Sequence, residues 1–256
     1  MYHQFKNRVK LTATLKAETA LYIGAGQESF SPMAVQGSLL KDQHGYPCIP
    51  GSSLKGVLRS FLESVQEEEK YCERGQRCAQ KYETKEKRKK EKGNLSDAAF
   101  AKNIYADACA VCRLFGNGVM AGKLKFADAR LANIAAWLGT ELRTGNAIDR
   151  DTHTTVAGVL YDTEVIPAGT EFKLRITAEN LSEEEARIFS QLMRHFANGG
   201  ITVGGRSRAG LGTVEADQIA VEVFYMKPKQ FAPEKEVAPS LEELAEFLAE
   251  RKAAYV

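Results

Sequence analysis

Four of the five cysteines fall into two pairs whose spacing could hold a metal ion. The pairs are Cys72 with Cys78 and Cys109 with Cys112, on either side of a highly charged segment. Four thiolates are the ligand set of a tetrahedral structural zinc site, which leaves no open coordination position for catalysis. The second spacing is typical of a zinc knuckle and the first is looser, so ordinary buried or surface cysteines are the alternative. Cys48 is interpreted as a small apolar filler.

A glycine-rich segment near residue 207 could contact a polyanion. Its candidate contact residues are Gly205, Arg206, Ser207, Arg208 and Gly210. Glycine allows close approach of the backbone to a ligand, and arginine offers a fork of donors that suits phosphate. The alternative is a tight connection between two elements. The segment lacks the Lys-Ser/Thr ending of a nucleotide-binding P-loop, which argues against that function.

A second candidate anion site lies at the start of a predicted helix. Pro50-Gly-Ser-Ser-Leu-Lys-Gly56 places Ser52, Ser53 and Lys55 near the free amides of a helix N-terminus, with Arg59 one turn further on. Helix N-termini attract anions, and lysine and arginine four residues apart share a helix face. The alternative is an ordinary N-cap, formed by Ser52 or Ser53, with cations that face solvent.

The polar segment from Arg143 to His153 is predicted to form an extended finger. It is basic at both ends, through Arg143 and Arg150, and Ile148 would be its apolar tip. An apolar tip of this kind can unstack bases. His153 has no evident partner for nucleophilic catalysis, and His195, on an apolar helix, is expected in the core.

Composition restricts the class of protein. The chain has 256 residues, 44% hydrophobic and 27% charged, with a net charge of only +2. These numbers are compatible with a single domain with insertions, and any nucleic-acid binding must depend on where the charge lies. Because no apolar run of about 18 residues is present and the N-terminus is polar, we expect neither a membrane helix nor a signal peptide, and we place the protein in the cytoplasm.

The most charged segment, residues 67–92, is predicted to be a solvated insertion. It ends in the basic run Lys85–Lys92, which has too few apolar side chains to form a buried core. Two interpretations of the run are open: a mobile loop that only solvates the surface, or a contact with RNA phosphates.

Hydrophobic periodicity predicts an α+β fold. Alternating segments predict strands at Arg8–Lys16, Leu124–Arg130, Val159–Ile166, Glu171–Ala178 and Gly212–Tyr225. Helices are predicted after Pro50, after Ser182 and, beyond a break between Pro228 and Pro239, after Ser240. This order suggests a ferredoxin-like α+β sheet with helices on one face, a layout common among RNA-binding domains.

Five motifs in a fixed order resemble the RAMP superfamily, specifically the backbone subunits of type III CRISPR effector complexes. The resemblance spans about residues 8–215, and its specificity comes from the order of the five motifs. The motifs are Ile23-Gly24, Ile49-Pro-Gly-Ser-Ser-Leu-Lys-Gly56 with Arg59, Cys112-Arg-Leu-Phe-Gly116, Arg143-Thr-Gly-Asn-Ala-Ile-Asp-Arg150 and the Gly205–Gly212 segment.

The resemblance implies a modified RNA-recognition-type palm in residues 1–226, followed by a linker and C-terminal helix in 227–256. The palm would carry a zinc-bearing insertion at about 66–116 and a thumb hairpin at about 143–160. Copies or paralogues would stack along a guide RNA, with Lys55, Arg59 and the glycine-rich segment on its phosphates. The complex would bind complementary target RNA, and sequence would be read by base pairing.

The sequence departs from the family at the position linked to cleavage. In cutting members an aspartate precedes the Pro-Gly-Ser-Ser motif, and the matching position here is Gln36, whose neutral amide cannot act as a carboxylate does. We therefore favour a binding subunit without cleavage. The alternative is a target-RNA endoribonuclease that uses a divalent metal and a loop carboxylate, Glu28 or Asp42. A guide-processing enzyme would need a base such as His153 or His44 and is less favoured.

Overall fold

The computed structural model describes residues 5–26, 38–65, 76–199, 201–225, 234–237 and 240–254. Within them the strands are β1 (Asn7–Ala17), β2 (Cys48–Ile49), β3 (Leu124–Phe126), β4 (Ala129–Leu131), β5 (Glu141–Ile148), β6 (Thr155–Val165), β7 (Glu171–Glu179), β8 (Ile201–Thr202), β9 (Thr213–Tyr225) and β10 (Glu234–Val237). The helices are α1 (Gly51–Val65), α2 (Gln76–Gln80), α3 (Lys85–Lys92), α4 (Asp97–Ala106), α5 (Ala110–Phe115), α6 (Glu183–Ala197) and α7 (Leu244–Ala254).

An antiparallel sheet forms the centre of the fold. β1 pairs with β7 on one side and with β9 on the other, β3 and β4 pair with β7, and β10 extends the edge beyond β9. A bulge interrupts the pairing of β1 with β9 near Thr12. The chain thus alternates long strands with α1 and α6, which confirms the predicted mixed α+β class.

One face of the sheet carries the core. Residues of β1 alternate between buried and more exposed, as do those of β7, because successive side chains of a strand point to opposite faces. The buried side chains pack against apolar residues of α1 and α6, such as Leu58 and Phe189. His195, predicted in the core, lies half-buried in α6 with its ring stacked on Phe61 of α1 at 3.8 Å.

The charged insertion differs from its prediction. The basic run is not a loop: it forms α3, with Thr84 as N-cap and Gly93 at the C-terminal end. Tyr82, only 2% exposed, donates a hydrogen bond to Asp107 and anchors the end of α2 to the end of α4. Most of helix α3 is solvent-exposed, as its charged composition requires.

A buried polar network attaches the insertion to α6. Lys123 Nζ donates to Glu185 Oε2 at 2.6 Å, and the Tyr105 hydroxyl of α4 donates to the same carboxylate. Glu185 also accepts from the amide of Ser182, which completes a capping box at the start of α6. Burial by itself would raise the pKa of Glu185, but these hydrogen bonds outweigh it and lower the pKa.

The C-terminal helix docks on its own chain. α7 begins at Leu244, after a turn in which the amide of Glu243 donates to the Ser240 hydroxyl. Leu244 and Leu248 are buried in the main core, and α7 packs against α6. No helix of the described residues is long and apolar enough to cross a membrane.

Candidate nucleic-acid interface

The residues directly before the first motif lie beside the glycine-rich segment. The amide of Gly205 donates to the carbonyl of Tyr22 at 2.9 Å, and the amide of Gly212 donates to the carbonyl of Ala20 at the same distance. Gly204 and Gly212 have φ values of +89° and +102°, and a Cβ at Gly212 would lie 2.6 Å from the Val203 carbonyl oxygen. These two glycines are therefore required by backbone geometry.

The predicted contact residues of the glycine-rich segment are all exposed: Gly205, Arg206, Ser207, Arg208 and Gly210. The two arginines differ in their surroundings. The guanidinium of Arg206 lies 5.3 Å from the ring centroid of Tyr22 and 4.9 Å from that of Tyr161 in β6. Arg206 thus contacts two aromatic rings, whereas Arg208 is exposed and contacts no aromatic ring among the described residues.

The start of α1 differs from the predicted cap. The helix begins at Gly51, so Ser52 and Ser53 lie in its first turn and neither is the N-cap. The amide of Gly51 donates to the Asp128 carboxylate at 2.8 Å, and a Cβ at this glycine would collide with the backbone of β3. Asp128 therefore occupies the first amide, and an anion would meet the exposed Ser52 and the half-buried Lys55 instead.

Arg59 lies in a more enclosed position than predicted. Its Nη1 donates to the Gly116 carbonyl at 2.8 Å, and its Nε donates to Glu63 at 2.9 Å. The side chain is only 20% exposed. The structure therefore shows Arg59 joining the second motif to the third, and its predicted phosphate contact stays a prediction.

The predicted finger segment forms a two-stranded hairpin. β5 pairs with β6 in a sheet of their own, and Gly145 faces Tyr161 across the hairpin. The connecting turn is closed by Asp149, whose carboxylate accepts hydrogen bonds from the amides of residues 151 and 152. Ile148 is 63% exposed beside this turn. Arg143 and Arg150 are also exposed, so the hairpin presents cations and an apolar tip to solvent.

Of the two candidate catalytic carboxylates, only Asp42 lies among the described residues. Gln36 and Glu28 lie outside the described residues. Asp42 forms a turn, in which its Oδ1 accepts from the amides of His44 and Tyr46 at 2.9 and 3.1 Å. Burial would raise the pKa of Asp42, but the two amides lower it below its ordinary value. The geometry of Asp42 is that of a turn-stabilising carboxylate.

Glu164, at the base of the hairpin, bonds to residues 39 and 41, which directly precede the Asp42 turn. Its carboxylate accepts from Lys41 Nζ and from the Thr140 hydroxyl, both at 2.8 Å, and from the amide of Leu39 at 3.2 Å. Burial would raise its pKa, but these donors outweigh burial and lower it. The loop stem, the hairpin and the glycine-rich segment consequently converge on one region of the molecule.

Sequence reasoning missed four residues of this region: Tyr22, Asp128, Tyr161 and Glu164. Tyr161 and Glu164 lie in the predicted strand Val159–Ile166, and the alternation of that strand places them on opposite faces. The alternation does not identify the residues that each of them contacts. Asp128 caps a helix 77 residues earlier in the chain, and a contact over that separation leaves no local signal.

Three of the four predicted metal ligands come together. The Sγ atoms of Cys78, Cys109 and Cys112 all lie within 4.8 Å of one another. The amide of Cys109 also donates to Cys78 Sγ at 3.2 Å. Cys72 lies outside the described residues. Cys48 is buried in β2, apart from this group, where burial raises its pKa and disfavours the thiolate. The three clustered thiols fit a metal ion in the insertion.

Comparison with known proteins gives one family and several relatives. The family model of the RAMP superfamily matches residues 14–215. A protein of Methanocaldococcus jannaschii named "CRISPR system Cms endoribonuclease Csm3" is 26% identical over 239 residues, which cover 88% of this chain and 84% of that protein. A protein of the same name from Streptococcus thermophilus is 26% identical over 238 residues, 85% of this chain and 91% of that protein. A third, from Mycobacterium tuberculosis, is 28% identical over 181 residues, 67% of this chain and 64% of that protein.

Proposed function

This chain belongs to the RAMP superfamily, and from that premise we propose that it is a guide-RNA-binding backbone subunit of a type III CRISPR effector complex. The relatives that carry the name Csm3 support the assignment to such a complex. The proposed partners are guide RNA, complementary target RNA and neighbouring RAMP subunits. The α+β sheet with α1 and α6 on one face supports the further proposal of a modified RNA-recognition-type palm.

One observation carries the proposal: motifs that are distant in the sequence lie in contact around exposed cations. Gly205 bonds to Tyr22, α1 packs against β8 at the start of the glycine-rich segment, and Arg206 reaches the hairpin at Tyr161. Lys55 on α1 is half-buried, and Arg208 in the glycine-rich segment is exposed. A net charge of +2 is sufficient for RNA binding when the cations are concentrated in this way.

The hairpin is proposed as a thumb that inserts between nucleotides of the guide–target duplex. Its exposed Ile148 provides an apolar wedge, and Arg143 and Arg150 provide cations on either side. An apolar side chain inserted at a base step unstacks it, and the flanking cations offset the charge of the nearby phosphates.

Zinc is the proposed occupant of the cysteine cluster, with Cys78, Cys109 and Cys112 as ligands and Cys72 as the fourth. When bound, the metal supplies structural stabilisation. The insertion has a small core of its own, so linking Cys78 in α2 to Cys109 and Cys112 at α5 would hold these elements together.

Target cleavage is the second candidate function. The relatives named endoribonuclease favour it. Against it, the position that matches the family aspartate is Gln36, and the Oδ1 of Asp42 already accepts two backbone hydrogen bonds. We propose that this subunit binds without cutting.

The decisive experiment is a cleavage assay of the assembled, guide-loaded complex with labelled complementary RNA and a divalent metal. Wild type is expected to leave the target intact opposite this subunit, and Gln36→Asp is expected to create a cut there. If wild type cuts and Asp42→Ala abolishes the cut, the chain is a ribonuclease and the non-cleaving assignment is wrong.

RNA binding is tested separately by the affinity of the complex's protein subunits for guide RNA. A double variant, Lys55→Gln with Arg208→Gln, is expected to bind guide RNA more weakly and with a shallower salt dependence, because each lost phosphate contact retains counterions on the RNA. Wild-type affinity in the double variant would contradict the proposed interface.

A further inference from the structure

We infer that Arg206 is a positioning residue, which holds the hairpin of β5 and β6 against the glycine-rich segment, and that Arg208 is the arginine of this segment that binds phosphate. The inference deepens the proposed function, on which its RNA readout rests. It assigns different roles to two exposed arginines two residues apart.

The first observation is the environment of the Arg206 guanidinium. Two aromatic rings from separate parts of the chain approach it, that of Tyr22 at 5.3 Å and that of Tyr161 at 4.9 Å. A guanidinium within about 6 Å of a ring centroid is attracted by the negative face of the ring. Arg206 consequently connects Tyr22, the residue before the first motif, to a strand of the hairpin.

The second observation is how the backbone holds Arg206 in place. Its φ is +58°, a left-handed conformation that is uncommon for a residue with a Cβ. Gly204 and Gly205 precede it, both against Tyr22, and the Gly205 amide donates to the Tyr22 carbonyl at 2.9 Å. The glycines let this backbone lie on Tyr22, so the Arg206 side chain leaves the segment close to the ring.

The third observation concerns the position of Tyr161. It faces Gly145 across the hairpin, and a Cβ at position 145 would lie 2.4 Å from Cζ of its ring, so a side chain there would force the ring to move. An aromatic side chain laid over a cross-strand glycine is a packing arrangement that stabilises a strand pair. The ring therefore lies against both strands of the hairpin, so its contact with Arg206 can hold both strands.

The hairpin needs such an anchor. An isolated two-stranded hairpin is at best marginally stable in water. Strand β5 is exposed along most of its length, so burial contributes little to holding it in place. At its base the hairpin is tied to the palm through Glu164 and Lys41. The contact of Tyr161 with Arg206 adds a second tie, three residues further toward the tip.

Arg208 offers the contrasting environment. It is exposed, lies in the short 3-10 turn Ser207–Ala209, and stacks on no aromatic ring among the described residues. A guanidinium in that setting keeps its donors for a ligand and can bind a phosphate through two parallel hydrogen bonds.

Hydrogen exchange of the RNA-free protein tests the positioning role. Arg206→Gln and Tyr161→Leu are each expected to speed amide exchange in β5 and β6 several-fold, and the double variant is expected to add little to either. Tyr161→Phe keeps the aromatic ring, and Arg208→Gln does not disturb the contact of Arg206 with the two rings. Amide exchange in both control variants should therefore match that of the wild type. Unchanged exchange in Arg206→Gln would overturn the inference.

Guide-RNA affinity measured against salt concentration tests the division of roles. Arg208→Gln is expected to reduce the slope of log affinity against log salt by about 0.7, the value for one phosphate contact on single-stranded nucleic acid. Arg206→Gln is expected to weaken binding about 2- to 5-fold, which corresponds to the cation–π energy of an exposed site, with the slope unchanged. An equal loss of slope in Arg206→Gln would make it a phosphate ligand and overturn the assignment.

The two experiments separate failure of this inference from failure of the proposed function. If the wild-type protein shows no salt-dependent affinity for RNA, the proposed function fails, and the exchange measurement still decides whether Arg206 holds the hairpin. If RNA binds but Arg206→Gln alters neither exchange nor affinity, the inference fails alone.

Discussion

The Arg59 guanidinium of α1 donates a 2.8 Å hydrogen bond to the carbonyl oxygen of Gly116, a residue 57 positions later. The bond lies where the chain leaves α5, after the insertion, and Gly116 has a φ of +86° that favours glycine. A helix that contributes to the candidate interface is in this way attached directly to the end of the insertion.

Replacing Arg59 should therefore destabilise the fold. Arg59→Met removes a charge-assisted donor from a carbonyl and from Glu63 in a site where the arginine is 20% exposed, so we expect a loss of about 1.5–3 kcal/mol in the free energy of unfolding, measured in urea. The matched control is Arg187→Met, which breaks another Arg–Glu pair at i,i+4 spacing, but on an exposed helix surface. It should cost less than about 1 kcal/mol. Equal losses would refute the structural role.

The cation at the start of α1 should bind RNA without supporting the fold. Lys55→Gln is expected to reduce guide-RNA affinity and the salt slope by about one phosphate contact, or about 0.7. Lys102→Gln, an exposed lysine on α4 in the insertion, serves as the control. Gel-shift titrations at several salt concentrations measure both effects, and identical curves for the two variants would exclude a specific contact at Lys55.

The apolar tip of the hairpin should matter for duplex binding and not for stability. Ile148→Ser removes a side chain that is 63% exposed, so the unfolding free energy should change by less than about 0.5 kcal/mol. The loaded complex should bind complementary RNA more weakly because the wedge is lost. Val156→Ser, in the opposite strand and 37% exposed, is the comparison. A larger effect of Val156→Ser on target binding would place the wedge elsewhere.

The buried pair of Lys123 and Glu185 should make stability depend on pH in acid. Glu185→Gln leaves the buried ammonium without its counter-charge and should cost about 3–5 kcal/mol near neutral pH. Because the folded-state pKa of Glu185 is held below its usual value of 4.5, the wild-type advantage is fully present above that pH and is lost as pH falls through the folded-state pKa. Urea unfolding of both proteins between pH 7 and pH 3 measures it. An advantage that grows with acid would contradict the assigned charge state.

The cysteine cluster should bind one zinc ion per chain. Cys109→Ser and Cys112→Ser are each expected to lower the zinc content, measured by elemental analysis, and to speed proteolysis within the insertion. Cys48→Ser is the control, since that thiol is buried in β2 and is not part of the cluster. Zinc retained at full content in the cluster variants would show that other residues hold it.

The sequence by itself determined the features that depend on local pattern. Alternation along β1 and β7 and the capping box at Ser182 predicted strands and a helix start, because side-chain periodicity and end capping are properties of a few neighbouring residues. The spacing of Cys109 and Cys112 likewise predicted a pair of metal ligands, and the structure brings this pair together with Cys78. The order of motifs led to the superfamily that the family model confirms.

The tertiary structure decided everything that depends on contacts between distant segments. A mobile loop was one of two interpretations of the basic run, but the run forms a helix whose N-terminus is capped by Thr84. Ser52 and Ser53 matched a cap pattern, yet the residue that bonds to the first amide of α1 is Asp128, in the connection between β3 and β4. The sequence did not distinguish Arg206 from Arg208. The two arginines differ because the fold places the rings of Tyr22 and Tyr161 beside Arg206 alone. Contacts between residues that are tens of positions apart leave no periodic pattern in the sequence. Which residues meet is therefore determined only by how the chain packs in three dimensions.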